Sequence, residues 1–251
     1  MSGGGKMTRV IVHGAMGRMG KEVTRFVTES EDMALAALVD IGGDGKEVLT
    51  SLADFTGEAD VIIDFSHHTA VPAVLEYAKA RKLPAIIATT GCTEEETALI
   101  KEAAEYVPVF ASGNMSIGVA VLAALAAEAA RVMKDADIEI VETHHKNKLD
   151  APSGTALLIA NEIKTNRPDA SFVLGRSGMR KREKNDIGIN SVRCGNIVGI
   201  HEVIISTESQ TITLKHEAHT RALFAEGAVA AARFICGKSA GLYNIKDMVR
   251  K

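Results

Sequence analysis

One stretch of this chain gathers groups that move protons and hold anions. It reads Glu142-Thr143-His144-His145-Lys146-Asn147-Lys148-Leu149-Asp150-Ala151-Pro152-Ser153-Gly154-Thr155. A histidine can hand over a proton near neutral pH. Lys148, four positions after His144, can hold an anionic substrate or give a second proton. Ser153, Gly154 and Thr155 read as the start of a helix, whose N–H groups form a cradle fit for a carboxylate. Pro152 pre-sets the backbone at that start. Proton donor, cation and carboxylate cradle together are what reduction of a small dicarboxylate needs. The plain alternative is a solvated, charged loop that ends in a helix cap. A zinc site has raw material in His144, His145, His201, His216 and His219. It lacks an H-E-x-x-H and a cysteine pair, so no metal is expected.

A second group of residues suits a dinucleotide. Gly14-Ala15-Met16-Gly17-Arg18-Met19-Gly20 follows a β-branched run and opens a helical pattern. Glycines let a backbone turn sharply and approach a pyrophosphate, and the next helix aims its N–H groups at that anion. The spacing G-x-x-G-x-x-G departs from the commoner G-x-G-x-x-G, so its position carries the argument. Asp40 ends the second apolar run, 20 positions beyond Gly20, where an acid accepts from the adenosine ribose. Its charge opposes a 2′-phosphate, and Ile41-Gly42-Gly43 offers no arginine to welcome one. The expected cofactor is therefore NADH or NADPH, with NADH favoured or both used. Ala88-Thr89-Thr90-Gly91 and Ser112-Gly113-Asn114-Met115 follow later apolar runs, at carboxyl ends of strands, where such sheets bind ligands. Helix capping is the alternative for both. His67 and His68 read first as loop histidines, with a place beside the nicotinamide as the second reading. Cys92, Cys194 and Cys236 form no C-x-x-C and read as reduced thiols. A catalytic thiol would most naturally be Cys92, after Gly91.

Elements must position these groups. Residues 9–12, 33–39, 60–65, 84–88 and 107–111 read as strands. Helical patterns at 21–28, 70–81 and 94–106 alternate with them. Alternation of this kind implies βαβ units and a parallel sheet. Beyond residue 115 the pattern changes. Helices are expected at 116–133 and 155–164, strands at 137–143, 188–193, 197–207 and 210–216, a helix at 220–236 and a further turn or two at 243–249. The predicted fold is α/β. A Rossmann-like, doubly wound domain holds residues 1–115, and residues 222–251 form a helical tail able to pack back on it. An α+β domain with a mixed open sheet holds residues 116–221.

Composition limits the function classes. The chain has 251 residues, 46% hydrophobic and 24% charged, with a net charge of −3. That balance gives no general pull toward nucleic acid or anionic lipid. Aromatic residues at 4% and no tryptophan leave few platforms for base stacking. Residues 1–6 read as a flexible, polar lead too short for a signal peptide. Residues 106–127 carry no charge, but Pro108 and Ser112-Gly113-Asn114 break the run into strand, turn and buried helix rather than a membrane span. No membrane partner and a cytoplasmic location are expected.

With these residues in view, the chain resembles the dihydrodipicolinate (4-hydroxy-tetrahydrodipicolinate) reductase family over nearly its whole length from Met7. The signature is residues 142–156, Glu-Thr-His-His-Lys-Asn-Lys-Leu-Asp-Ala-Pro-Ser-Gly-Thr-Ala. Supporting pieces are the glycine turn at 14–20, residues 88–91, 114–118, 193–201 and 237–243. The resemblance implies an NAD(P)H-dependent reduction of the cyclic substrate to tetrahydrodipicolinate, on the diaminopimelate route to lysine. It makes His144 the proton donor and Lys148 the second catalytic residue. His145, with Gly154 and Thr155, becomes a substrate contact. Residues 14–19, Asp40, 88–90 and 112–115 become cofactor contacts. It also implies that the domain of residues 116–221 binds substrate, that a homotetramer forms through the sheet of this second domain, and that a C-terminal helix within residues 222–251 returns to the first. Ala120 and Ile41 depart from the family, standing where many members carry Asn and some carry Arg. Two other classes compete with this reading. A nucleotide-binding sensor would not need the 144–155 loop, and an aldehyde dehydrogenase would act through Cys92. For assembly, one layer of helices covers one face of the second sheet. Apolar positions such as Ile187, Ile189, Val192, Ile197, Val198, Val203, Ile204, Ile205, Ile212 and Leu214 are then expected to leave a large apolar patch on the other.

Overall fold

Two compact units divide the chain: Met1–Ser116 together with Ala222–Lys251, and Ile117–Arg221. The computed structural model describes residues 7–249, so the reading of residues 1–6 lies outside the described residues.

The first unit is built on β1 (Thr8–His13), β2 (Met33–Val39), β3 (Val61–Asp64), β4 (Ala85–Ile87), β5 (Pro108–Ala111) and β11 (Gly241–Tyr243). They form one sheet in the order β11-β5-β4-β3-β1-β2, with every pairing parallel. A parallel sheet is covered on both faces, which is why its strands read as runs such as Val10-Ile11-Val12 and Val61-Ile62-Ile63 without alternation; all six of these side chains are fully buried. Helices α1 (Arg18–Glu29), α2 (Val71–Arg81), α3 (Glu94–Ala103), α6 (Ala222–Ile235) and α7 (Ile245–Val249) complete the unit. Val74, Leu75 and Ala78 of α2 and Ile100 and Ala103 of α3 share a core with Ile62, Ile87 and Val109. A capping box of Thr93 and Glu96 starts α3. Arg233 of α6 binds Asp32 through Nε and Nη2, both at 2.7 Å. Because β2 and β3 leave β1 on opposite sides, the crevice at the carboxyl ends of β1 and β3 is the topological switch point.

Boundaries differ from the sequence reading where local sterics rule. Helix α1 begins at Arg18, three residues earlier than the apolar pattern suggests, because Gly17 supplies an extended N-cap. A Cβ on Gly20 would lie 2.1 Å from the Gly14 carbonyl oxygen, so only glycine lets α1 pack this close to the turn. A 3-10 turn at His68–Ala70 precedes α2, and α3 ends at Ala103, short of the residue 106 expected. Strand β11 escapes sequence reading because three residues carry no periodicity.

The second unit has β6 (Asp137–His144), β7 (Ser171–Leu174), β8 (Asp186–Arg193), β9 (Gly199–Ser206) and β10 (Thr211–Ala218), in the order β10-β9-β6-β8-β7. The sheet is mixed: β6, β8 and β7 run parallel, whereas β9 and β10 pair antiparallel. Helices α4 (Ile117–Val132) and α5 (Gly154–Lys164) lie on one face. Ala126 and Ala130 of α4 and Ile159, Ala160 and Ile163 of α5 share a core with Ile138, Ile140, Ile189, Val203 and Ile205. Arg167 binds the carbonyls of Ala130 (3.0 Å) and Met133, the last turn of α4 and just beyond it.

The expected apolar patch is corrected by this register. Strict alternation sends Ile187, Ile189, Val203 and Ile205 inward. On the opposite face, Glu139 pairs with Ile204, Val141 with Glu202, and Glu202 in turn with Lys215. That face is a mixture of Val141, Val192, Ile200 and Ile204 with charged and polar side chains. Ile197 and Val198 precede β9 rather than belonging to it.

Candidate active site

In the second unit, β6 sends Glu142 and His144 to the same side, since they are two residues apart. The Glu142 carboxylate is fully buried, and Oε2 stands 2.6 Å from His144 Nδ1. Arg193, register partner of His144 on β8, donates Nη1 to Oε2 and Nη2 to Oε1, both at 2.8 Å. The Ser153 N–H donates to Oε1 at 3.1 Å. Burial pushes the Glu142 carboxyl up, but hydrogen bonds from Arg193, Ser191, His144 and Ser153 outweigh it and hold the group ionised down to about 2. Burial lowers His144 below the ordinary histidine range; Glu142 opposes that shift, while Lys148 and Arg193 add to it. The ring is therefore neutral at pH 7, and 8% of the residue remains exposed.

His201 of β9 lies edge-on to His144, with ring centroids 5.1 Å apart. Its Nε2 is 3.1 Å from Ser153 Oγ. Burial first, then the neighbouring His144, keeps it neutral down to about 3. Gly199 stands beside the other edge of His144: a Cβ there would be 3.0 Å from Nε2. A chain without a side chain at this point leaves that nitrogen approachable.

The loop after β6 is tied down by backbone bonds. Cys194 N–H donates to the His144 carbonyl (2.8 Å), Lys146 N–H to Gly195 (3.1 Å) and Lys148 N–H to His145 (3.1 Å). Ser153 caps α5 by accepting from Ala156 N–H at 3.1 Å. Lys148 Nζ lies 2.8 Å from Asp150 Oδ1, and the same carboxylate takes a bond from the Gly154 N–H. The cation and the helix start expected to hold a substrate carboxylate thus both hold a carboxylate of the chain itself. His145 faces Arg221, with Nε2 and Nη2 3.4 Å apart. Sequence reasoning places Glu142 in the stretch and His201 among zinc candidates without giving either a part beside His144, and it assigns no role to the side chains of Arg193 or Arg221 or to the bare backbone at Gly199. Glu142 was legible, being two residues before His144 in a strand; the others come from distant segments.

In the first unit, Gly14 has φ +78°, and a Cβ on it would meet the Phe65 carbonyl at 2.7 Å. The N-terminus of α1 carries no side-chain cap. Asp40 accepts from Met16 N–H and Gly42 N–H, each at 3.0 Å, so the acid and the glycine turn share one site. Ala15 is buried and Met16 is half exposed. These features fit a dinucleotide: a backbone turn closed to side chains, open helix N–H groups and an acceptor beside them. Thr89, Thr90, Ser112 and Gly113 line a cavity of about 360 Å³ with Cys92 and Leu242. Ala88, the residue that follows β4, directly precedes Thr89 and is buried.

Some side chains in this unit have structural work instead. Thr89 Oγ1 donates to the fully buried Asp64 at 2.6 Å; Asp64 also takes His13 Nδ1 at 2.7 Å. The ends of β1, β3 and β4 are thereby locked together, a frame that no local pattern reveals. Ser112 Oγ donates to the Asn114 carbonyl (2.7 Å), and Asn114 Oδ1 accepts from Ser116 N–H (2.8 Å). Met115 is buried; a Cβ on Gly227 of α6 would lie 1.7 Å from its carbonyl oxygen. His68 binds Glu96 at 2.9 Å and His67 caps the following turn, so both serve as loop histidines. Burial raises the Cys92 thiol, the wrong direction for a nucleophile. Among the described residues no group of His, Cys, Asp and Glu is arranged to hold a metal ion, and no helix is long and apolar enough to cross a membrane.

Comparison with known proteins gives the same frame. Residues 8–115 match the family model "Dihydrodipicolinate reductase, N-terminus", and residues 118–249 match "Dihydrodipicolinate reductase, C-terminus". The 4-hydroxy-tetrahydrodipicolinate reductase of Caldanaerobacter subterraneus subsp. tengcongensis is 45% identical over 98% of this chain and 99% of its own. That of Clostridium novyi is 41% identical over 97% and 99%. A dipicolinate-bound dihydrodipicolinate reductase from Paenisporosarcina sp. TG-14 superposes with TM-score 0.80 at 26% identity, covering 96% of this chain and 99% of that one. A C. glutamicum DAP dehydrogenase, at 14% identity and TM-score 0.60 over 97% and 94%, shares the fold alone. Both family models, laid end to end, account for nearly all of the described residues, and the chain belongs to the dihydrodipicolinate reductase family of oxidoreductases.

Proposed function

We propose that this chain reduces 4-hydroxy-tetrahydrodipicolinate, through its dehydrated form, to tetrahydrodipicolinate, with His144 as the proton donor. The observation that carries the reading is the Glu142–His144 pair beside Lys148 and the start of α5. The cofactor is a nicotinamide dinucleotide, and within this reading NADH serves at least as well as NADPH. The turn at Gly14, Ala15, Met16, Gly17, Arg18 and Met19 and the carboxylate of Asp40 would hold its adenosine diphosphate half. Residues 88–90 and 112–115 would hold its other half. When bound, the nicotinamide supplies a hydride.

The chain's own residues do the rest. His144 Nε2 delivers a proton to the enamine carbon of the reduced ring. Lys148 balances the negative charge of the dicarboxylate and gives up its bond to Asp150 as it does so. Ser153, Gly154 and Thr155, at the start of α5, receive one carboxylate, with His145 beside it. A substrate dianion in this site stabilises the imidazolium, which brings His144 into its protonated form for the step.

The test is a coupled assay with dihydrodipicolinate synthase, following NADH and NADPH oxidation separately. His144→Gln is expected to lower kcat by ~10²–10⁴-fold, the usual size of a general-acid contribution. Near-normal turnover in that variant removes His144 from the role. Assembly as a homotetramer and a cytoplasmic location belong to the same reading. The first draws support from the sheet face of the second unit that no helix of that unit covers.

A further inference from the structure

A neutral imidazole carries its proton on one nitrogen and a lone pair on the other, and only the second can take up a proton to deliver. Which is which depends on what each nitrogen faces. His144 Nδ1 faces Glu142 Oε2 at 2.6 Å. Glu142 has no exposed surface, and an ionised carboxylate can only accept. Both of its oxygens are already engaged by donors: the two prongs of Arg193 at 2.8 Å and the Ser153 N–H at 3.1 Å. A bidentate arginine fixes a carboxylate in orientation as well as in charge. The other nitrogen, Nε2, looks past Gly199, whose missing side chain leaves space.

We infer that Glu142, clamped by Arg193, is a positioning residue: it holds His144 in the Nδ1–H tautomer and so makes Nε2 the atom that takes up and delivers the proton. This rests on the reading of His144 as proton donor. Four charged or titratable groups surround the ring: Glu142 from β6, Arg193 from β8, His201 from β9, and Lys148 from the loop after β6. Arg193 offsets the charge of Glu142, so the carboxylate orients the ring without locking it as imidazolium. His201, bound to Ser153 and neutral, does not compete for the proton. The Ser153 bond also ties the start of α5 to the same carboxylate. One buried acid therefore sets the proton donor and the anion cradle in register.

The inference is tested by nitrogen-15 spectra of the histidines in the whole enzyme, with His144 assigned by its absence in His144→Gln. The wild type should show the Nδ1–H tautomer. In Glu142→Gln the amide oxygen, in the place of Oε1, keeps Arg193 Nη2 and the Ser153 N–H, the bond from Arg193 Nη1 is lost, and the amide N–H in the place of Oε2 faces Nδ1. The neutral ring should then shift toward Nε2–H, and its titration midpoint should fall by about one unit with the lost charge. Turnover should fall ~10–10²-fold while KM stays within about threefold, because the helix start keeps its acceptor. Glu142→Asp, which retains the charge, should keep the Nδ1–H form. A merely structural role would lower thermal stability and leave tautomer and midpoint alone. An Nε2–H tautomer in the wild type overturns the inference by itself, even if Glu142→Gln does not fold. Unchanged tautomer and midpoint in a folded Glu142→Gln overturn it too. Full activity in His144→Gln would instead sink the donor reading and leave the tautomer result standing.

Discussion

Replacing Asp40 by Asn should change which nicotinamide cofactor the enzyme prefers, by an amount that Coulomb's law bounds. The carboxylate accepts Met16 N–H and Gly42 N–H at 3.0 Å, one on each oxygen. Each oxygen keeps capacity for a ribose hydroxyl, but a 2′-phosphate there meets a negative charge. With about two charges on the phosphate and a separation of roughly 5 Å, the repulsion in water is ~332 × 2/(80 × 5), or about 1.7 kcal/mol. Screening leaves about 1.4 kcal/mol at 0.01 M salt and about 0.9 kcal/mol at 0.15 M, taking Debye lengths of ~30 Å and ~8 Å. The ratio of NADPH to NADH dissociation constants should therefore fall about tenfold at low salt and about fivefold at 0.15 M. Asn has one acceptor oxygen, so one of the two backbone bonds is lost and stability falls by about 1 kcal/mol. That loss affects both cofactors alike and cancels in the ratio. Titration calorimetry with each cofactor at both salt concentrations is the assay. A ratio that stays within twofold of wild type, or a shift that does not depend on salt, would refute the assignment of Asp40 to the ribose site.

Lys148→Ala should lower turnover and raise KM for the dicarboxylate, whereas Asp150→Asn should lower KM a few-fold, because substrate no longer competes with Asp150 for the ammonium; an unchanged KM in both variants would show that this loop holds no carboxylate. In kcat/KM, activity should fall as pH rises through a midpoint below the ordinary histidine value of ~6.5, since burial lowers His144 in the free enzyme. In kcat that midpoint should lie higher, and coincident midpoints would count against a substrate that stabilises the imidazolium. Stability has its own signature, with both signs pointing the same way. Glu142 is depressed to about 2 in the fold, so its contribution is present above the unfolded value and is lost as pH falls from there toward 2. His201 is depressed to about 3, so its contribution is complete above the unfolded histidine value and is lost as pH falls through the range below. The melting temperature should thus drop steadily from about pH 6 downward, less steeply in His201→Gln, and equal slopes would exclude His201 as a source. Light scattering should give four times the 26.6 kDa of one chain, and Ile204→Glu on the outer face of β9 a smaller species; a wild-type mass of one chain would end the tetramer reading.

Local structure was readable where residues near in sequence build it. The glycine turn, Asp40 and the loop from His144 to Thr155 were all visible, because a turn, a strand end and a helix start are short-range structures with their own residue preferences. The parallel sheet of the first unit was equally legible, since strands buried on both faces must read as unbroken apolar runs. Other features needed tertiary structure. Arg193 and His201 reach His144 from β8 and β9, and only strand register decides that one clamps Glu142 and the other binds Ser153. Asp64 joins three strand ends that are adjacent only once the sheet has formed. The outer face of the second sheet differs from its sequence reading for the same reason. Counting apolar residues in β8, β9 and β10 cannot say which side of the sheet each faces. With a period of two, a shift of one residue exchanges the faces. The pairing of β6 with β9 settles the matter: it buries Val203 and Ile205 beneath the helices and leaves Glu202 and Ile204 on the other side.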